Sequence, residues 1–355
     1  MFGKIRIPAV LLALLAALLF GVSAPLSKLL LNDIQPMPLA SLLYFGCGAG
    51  VLLFKLGNLL LIRKEKTEAG ITKKDVPWLA GIILAGGVAA PVILMYSLKA
   101  TPAATASLLL NFEAASTALI AAVFFKEALG KRVWISIAMI TAAAAVLTLN
   151  PSGEWGFSIG AVGIIGACSL WGIDNNLTRN ISSKDPLITA MVKGFGAGTV
   201  SLILSFATNS AFPSLTPILL ALLLGAFSYG ISIVLFIIAM RHLGAARTSA
   251  FFGTAPFIGS FISIILFGEI PGLQFYISLP LMIAGAVLIA GEKHAHMHIH
   301  RLTEHDHKHR HDDLHHNHVH GDGFCGEHSH PHVHEPMEHE HAHMPDIHHR
   351  HTHSS

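Results

Sequence analysis

The sequence predicts an all-α integral membrane protein: ten transmembrane helices arranged as two five-helix repeats of inverted topology, followed by a disordered histidine-rich tail. Three observations predict it. Apolar runs of about 20 residues, the length that crosses a bilayer as a helix, recur along residues 1–293. Short motifs return in the same order after a nearly constant interval. Finally, 23 of the 24 histidines lie between His294 and His353, in a polar segment whose apolar side chains are few and scattered.

The apolar runs place spans at residues 8–31, 37–61, 76–98, 102–125 and 132–149, then at 158–179, 186–208, 214–240, 245–267 and 272–291. The first begins after Lys4 and Arg6 and runs unbroken to Leu31. It has the charge pattern of a signal peptide, but its length, Pro25 behind the candidate cleavage point and an internal twin argue for a retained helix. Pro36, Pro77, Pro102, Pro151, Pro186 and Pro271 stand at helix starts or in loops, where a missing N–H costs least. The connections are short, the longest being the charged segment Arg63–Asp75. Three units follow: a first repeat over 1–150, a second over 151–292 and the tail over 293–355.

Charge separates the body from the tail. Up to Lys293 there are 19 Lys and Arg against 11 Asp and Glu; beyond it there are 4 against 10. An acidic, histidine-laden tail attracts cations and is unsuited to nucleic acid. With the N-terminus in the cytoplasm, the inner segments hold Arg63, Lys64, Lys66, Lys73, Lys74, Lys126, Lys131, Arg132, Arg179, Lys184, Arg241 and Arg247, whereas the outer ends hold only Lys28 and Lys99. This bias predicts a plasma (inner) membrane protein with both termini cytoplasmic. Its three cysteines, Cys47, Cys168 and Cys325, form no disulfide framework.

The duplication is legible in paired segments. Phe20–Lys28 corresponds to Trp171–Arg179, Phe45–Gly48 to Phe195–Gly198, Leu98–Ala100 to Met240–His242, and Phe125–Gly130 to Phe267–Gly272. The offset is 150–151 early and 142 late, because the first half carries the longer Arg63–Asp75 loop. Five spans per half, an odd number, force the halves to insert with opposite topology, the signature of alternating-access carriers. Phe-Lys-Glu-Ala-Leu-Gly and Phe-Gly-Glu-Ile-Pro-Gly close the fourth and ninth spans. With these motifs, residues 8–291 resemble the EamA branch of the drug/metabolite transporter superfamily. The resemblance implies a secondary transporter, not an enzyme, for cargo among amino acids, sugars, nucleotide precursors, drugs and metals. A histidine-rich C-terminus on such a body is similar to nickel/cobalt resistance exporters. That likeness implies export of Ni²⁺ or Co²⁺, by exchange for protons. The alternatives are a small-metabolite exporter with a metal-responsive tail, or a membrane metal sensor or store.

Charges inside a bilayer cost several kcal/mol each and are functional candidates by default. Three are deep: Glu113 in span four, Asp174 in span six and Lys193 in span seven. Asp174 and Lys193 lie at one depth, at about 1.5 Å per residue from their helix ends. They are either an ion pair that fixes helix register or a cation ligand with a resident counter-charge, with Asn175 and Asn176 adding oxygen ligands. Glu113 has no partner legible in the sequence, and is either a proton-coupling carboxylate or a helix-contact hydrogen bond.

The deep charges break the repeat: Asp174 aligns with Ser23, Glu113 with Ala255 and Lys193 with Leu43. The shallow ones keep it. They predict equivalent gates, Lys28, Lys99 and Glu269 outside, and Glu127, Arg179 and Arg241 inside, with interfacial snorkelling as the alternative. Gly46, Gly48 and Gly50 in span two match Gly194, Gly196 and Gly198 in span seven. Both runs contain the spacing that lets helices approach closely; a homodimer contact is the other use of such a stripe. Pro91 and Pro256 interrupt spans and free backbone carbonyls.

The tail is low in complexity and lacks a core, so it is expected to be disordered. Neutral imidazole is a common ligand for Zn²⁺, Ni²⁺ and Co²⁺. The candidate ligands are His294, His296, His298, His300, His305, His307, His309, His311, His315, His316, His318, His320, His328, His330, His332 and His334. Their alternate spacing sets neighbouring pairs on one side of an extended chain. No cofactor is required beyond metal on this tail. The expected partners are the lipid bilayer and a metal cation or small molecule.

Overall fold

The computed structural model describes residues 8–61, 69–125, 129–149 and 158–290, and four short strands within 295–342. The body is helical: α1 (Ala9–Gly21), α2 (Ser23–Leu30), α3 (Pro36–Leu61), α4 (Val76–Ile82), α5 (Ala90–Ala100), α6 (Ala103–Leu109), α7 (Phe112–Phe125) and α8 (Lys131–Thr148). There follow α9 (Ile159–Ile181), α10 (Pro186–Ala207), α11 (Leu215–Leu224), α12 (Ser232–Phe252), α13 (Ala255–Phe267) and α14 (Leu273–Ala290). A π-helical turn, Ile83–Ala89, joins α4 to α5, and a second, Gly225–Ile231, joins α11 to α12.

Among the described residues, seven helical stretches are long and apolar enough to cross a membrane: Ala9–Leu30, Pro36–Gly57, Lys73–Ala100, Ala103–Phe125, Lys131–Thr148, Pro186–Ala207 and Leu215–Leu243. They coincide with predicted spans one to five, seven and eight. The other three predicted spans fall on helices outside that set. α9 is long, at 23 residues, but Asp174, Asn175, Asn176, Arg179 and Asn180 dilute its apolar character. α13 and α14 are shorter apolar helices.

Two boundaries differ from the sequence reading. The eighth predicted span runs past residue 240 within α12 as far as Phe252, because no proline interrupts it. The chain breaks instead at Gly253–Thr254, and Pro256 sits in the first turn of α13. Span four is likewise split at Leu110–Asn111, between α6 and α7.

The helices are held by small residues. α3 crosses α10 so closely that a Cβ on Gly194 would lie 2.4 Å from the backbone nitrogen of Gly48, and it approaches α11 as closely, since one on Gly46 would lie 2.2 Å from the carbonyl oxygen of Leu222. On Gly48 and Gly198 a Cβ would press the rings of Phe195 and Phe45. These glycines are thus used in packing within the chain. The central core gathers Leu39 and Leu43 of α3, Leu94 and Leu98 of α5, Leu108 of α6 and Ile164 of α9.

The tail differs from the expectation of a segment without regular structure. Its described residues form β1 (Ala295–Ile299), β2 (Thr303–His309), β3 (His328–His334) and β4 (Glu338–Ala342). β1 pairs antiparallel with β4, and β2 with β3. Histidine at every second position has the period of a strand, and antiparallel pairing satisfies backbone groups without needing an apolar core.

The close crossing sets a stability prediction. Gly194→Ala forces a Cβ against backbone and is expected to cost about 1–3 kcal/mol, the usual range for overpacking. Gly166→Ala meets open space and is expected to leave stability unchanged or slightly raised. Thermal unfolding of both variants in one detergent checks the contrast.

Candidate functional site

The deep charges meet. Asp174 on α9 and Lys193 on α10 are both buried, and the ammonium donates to Asp174 Oδ2 at 2.5 Å. Thr178, one turn along α9, donates to the other carboxylate oxygen at 3.4 Å. Paired charges of this kind offset each other's desolvation, which a lone charge cannot do. Depth, read from the sequence, anticipated this pair.

Backbone closes over the carboxylate from the other side. A Cβ on Gly86 would stand 2.2 Å from Asp174 Oδ2. Gly86 lies in the first π-helical turn, where the Ala90 N–H bonds back to Ala85 O, five residues away. In that register the Gly86 carbonyl would be served by residue 91, which is Pro91 and has no N–H. The freed carbonyl instead accepts from the Tyr44 hydroxyl at 2.7 Å and from Trp171 Nε1 at 3.1 Å. The sequence signal was present in Pro91 behind the Gly86–Gly87 pair, but its acceptors' partners come from α3 and α9, far away in sequence.

Glu113, near the start of α7, does have a partner: Asn175 Nδ2 donates to its Oε1 at 2.9 Å. Asn175 Nδ2 also lies 3.1 Å from Thr117 Oγ1, and Thr117 donates to the Glu113 carbonyl at 2.8 Å. Asn176 donates to the carbonyls of Thr117 and Gly172 at 3.0 and 2.8 Å. The expected oxygen ligands Asn175 and Asn176 therefore use their nitrogens, as ties between α9 and α7.

Asp174, Lys193, Glu113, Asn175 and Thr178 line one cavity of about 50 Å³. At roughly 10–15 Å³ per water it has room for a few solvent molecules. Asn176 is not on its wall. Phe20, Tyr44, Trp171, Tyr229, Phe236 and Phe252 are, with Phe20 edge-on to Trp171 and Tyr229 at centroid distances of 5.8 and 5.6 Å. Both halves of the chain thus contribute walls. Cys47 and Cys168 are buried free thiols turned to helix carbonyls and do not line the cavity. Among the described residues of the helical body, no three His, Cys, Asp or Glu side chains come together as a metal site.

The shallow charges form two clusters. In the first, Lys28 donates to the carbonyls of Leu98, at 2.7 Å, and of Thr101. The Glu269 carboxylate accepts from the backbone N–H groups of Ala103 and Ala104, both at 2.8 Å, capping α6. Both side chains thus grip the α5–α6 turn. Lys99 is exposed. In the second cluster, Arg241 donates to the carbonyls of Ser182 and Lys184 at 3.1 and 2.9 Å, and Arg179 lies over the Phe125 ring, 5.3 Å from its centroid. Glu127 lies outside the described residues.

Two ion pairs beside this cluster escaped the sequence reading: Lys55 with Asp185 at 3.2 Å and Lys184 with Asp75 at 3.7 Å. Asp185 also caps α10. Aspartate before proline, ahead of an apolar run, was the available signal.

Of the candidate tail ligands, His296, His298, His305, His307, His309, His328, His330, His332 and His334 lie in the strands, whereas His294, His300, His311, His315, His316, His318 and His320 lie outside the described residues.

A cavity that sets a few charged and polar groups among aromatic and apolar side chains, walled by both halves, is the kind of site a multi-pass membrane transporter needs. The sequence model of the EamA-like transporter family matches residues 7–149 and again 158–291, and the chain belongs to that family. An uncharacterized transporter of Methanothermobacter thermautotrophicus is 29% identical over 291 residues, 77% of this chain and 83% of that protein. The fold is shared with a solved crystal structure at a TM-score of 0.60 and 19% identity, covering 81% of this chain and 98% of the other.

The buried pair gives the second prediction. Lys193→Met leaves Asp174 uncompensated, and is expected to cost about 3–5 kcal/mol. The double variant Asp174→Asn/Lys193→Met is expected to recover most of that loss. Thermal unfolding of the single and double variants reads the difference; equal losses in both would rule out pairing as the source.

Proposed function

We propose that this transporter is an alternating-access secondary carrier of the plasma (inner) membrane with both termini cytoplasmic, and that halves 1–150 and 151–292 insert ten spans with opposite topology. Several correspondences support this reading. The family model matches each half separately. The π-helical turns Ile83–Ala89 and Gly225–Ile231 are 142 residues apart, as are α8 and α14. α1 packs on α12 as α9 packs on α5, the arrangement a twofold relation demands. The two shallow-charge clusters, one gripping the α5–α6 turn and the other the α9–α10 turn, would act as gates on opposite faces.

The observation that carries the reading is the buried Asp174–Lys193 pair in a cavity walled by both halves. A carrier of charged cargo needs a group that exchanges partners, and a buried ion pair supplies one whose resident counter-charge can give way to the cargo. In the proposed cycle a divalent transition metal, Ni²⁺ or Co²⁺, displaces Lys193 from Asp174. Glu113 takes up and releases the counter-transported proton. Lys193 returns to neutralise the empty site. The histidine tail, 293–355, collects metal at the inner mouth. Oxygen ligands bind such ions weakly enough to let them go.

A second reading, an exporter of a small organic metabolite with a metal-responsive tail, is favoured by the aromatic lining of the cavity. A sensor or store with no flux is the third.

Elemental analysis of cells under Ni, Co, Zn and Mn stress separates them. Metal export predicts lower Ni or Co content with the intact protein, no effect with Asp174→Asn, and partial export after deletion of 294–355. Loss of the whole effect on that deletion indicates storage. Unchanged contents for all four metals dismiss metal as cargo.

A further inference from the structure

The tail strands carry an arrangement that the sequence alone does not hold. Spacing sets His296 beside His298, and His305 beside His307 and His309, but says nothing of what faces them. In the β1–β4 ladder His296 stands opposite His341, and His298 opposite His339. In the β2–β3 ladder His305 stands opposite His332, His307 opposite His330, and His309 opposite His328. Of the eleven histidines in the four strands, only His334 faces another residue type, Thr303. Both ladders keep one register, since each step forward on β1 or β2 is one step back on β4 or β3.

This register is demanding. Side chains alternate with period two, so a slip of one residue would set every one of these histidines opposite a different residue type. Strands with one apolar face hold register by burying it. Neither ladder has an apolar face shared by both its strands: Ala295, Met297 and Ile299 of β1 stand opposite Ala342, Glu340 and Glu338, and Glu304, Asp306 and Lys308 of β2 stand opposite Val333, Pro331 and Ser329. A two-stranded ladder without a core is marginal in water. Something other than apolar burial must favour the register.

Metal chelation fits. Residues i and i+2 share a face of a strand, and directly opposite Cα atoms of an antiparallel pair are about 4.5–5.5 Å apart. Two adjacent facing pairs therefore gather four imidazole-bearing positions on one face, the coordination number Zn²⁺ takes in structural sites.

We propose that the tail is a metal-zipped hairpin. His296, His298, His339 and His341 would form one four-histidine site, and His305, His307, His330 and His332 a second, with bound metal setting the strand register. This deepens the reading of the tail as a metal collector and rests on it. It adds that collection folds the tail, so the segment next to α14 would change shape with metal load.

The test uses the full-length protein in nanodiscs, with Cys47, Cys168 and Cys325 replaced by serine, and Zn²⁺ as the probe because it is diamagnetic. Spin labels go on Lys308→Cys with Ser329→Cys, which face each other in the register. A control pair is Lys308→Cys with Val333→Cys, four positions out of register and about 13 Å further along the strand. Pulsed dipolar spectroscopy is recorded with and without Zn²⁺, and bound zinc is counted by elemental analysis. The proposal predicts two or more ions per chain, a narrow short distance for the facing pair only with Zn²⁺, and a longer narrow distance for the control. Zinc bound with distance distributions unchanged, or with both pairs shortened alike, overturns the hairpin and leaves the metal-collecting tail standing. No zinc bound overturns both.

Discussion

The Asp174–Lys193 ion pair is the constraint on which the rest of the helical body depends. Each charge alone in a lipid-spanning body would cost several kcal/mol. Together, 2.5 Å apart, they compensate, and neither can shift along its helix without the other. The pair ties α9 to α10, the first two helices of the second half. The Ile83–Ala89 turn packs on both of them, beside the pair. Gly194 follows Lys193 and lets α3 come to backbone contact. Gly86 lies flush against the carboxylate of Asp174, where any side chain would strike it.

The constraint explains the irregular backbone nearby. A regular α-helix would use the Gly86 carbonyl internally. The π-helical turn and Pro91 release it, and Tyr44 and Trp171 take it up. Three elements, α3, α9 and the Ile83–Ala89 turn, are thus joined at one oxygen beside the buried pair. π-turns recur at functional sites because they free backbone groups without breaking the helix. The second π-turn, Gly225–Ile231, has no proline at the matching position, since Ile233 stands there. It packs on α3 through Gly225, where a Cβ would lie 2.0 Å from the Leu43 carbonyl oxygen. Related backbone therefore does asymmetric work in the two halves, as the unmatched deep charges do.

What the sequence made legible was periodic or local. Apolar runs marked the helices, glycine spacing marked spans two and seven as closely packed without naming their partners, and distance from helix ends set Asp174 and Lys193 at one depth. Contacts between remote elements were not legible. Glu113 read as unpartnered because Asn175 is 62 residues away, and Asn175 turns its amide nitrogen, not its oxygen, to the carboxylate. Asp75 read only as the end of a charged loop and Asp185 drew no reading, yet Asp185 pairs with Lys55 and Asp75 with Lys184. The α12 boundary was misplaced because hydropathy dips around Arg241–His242 while the backbone continues helical past it. Strand pairing in the tail was invisible for the same reason: a period of two marks a strand but not its partner.

The central claim is that the buried pair sits where two oppositely inserted halves meet, so that the cavity can face either side in turn. Cysteines placed one at a time at the equivalent positions Asn32 and Ser183, in a protein otherwise free of cysteine, test it by labelling intact cells with a membrane-impermeant thiol reagent. The account predicts that Asn32→Cys is labelled from outside and Ser183→Cys only after the membrane is opened. Labelling of both from the same side would contradict it.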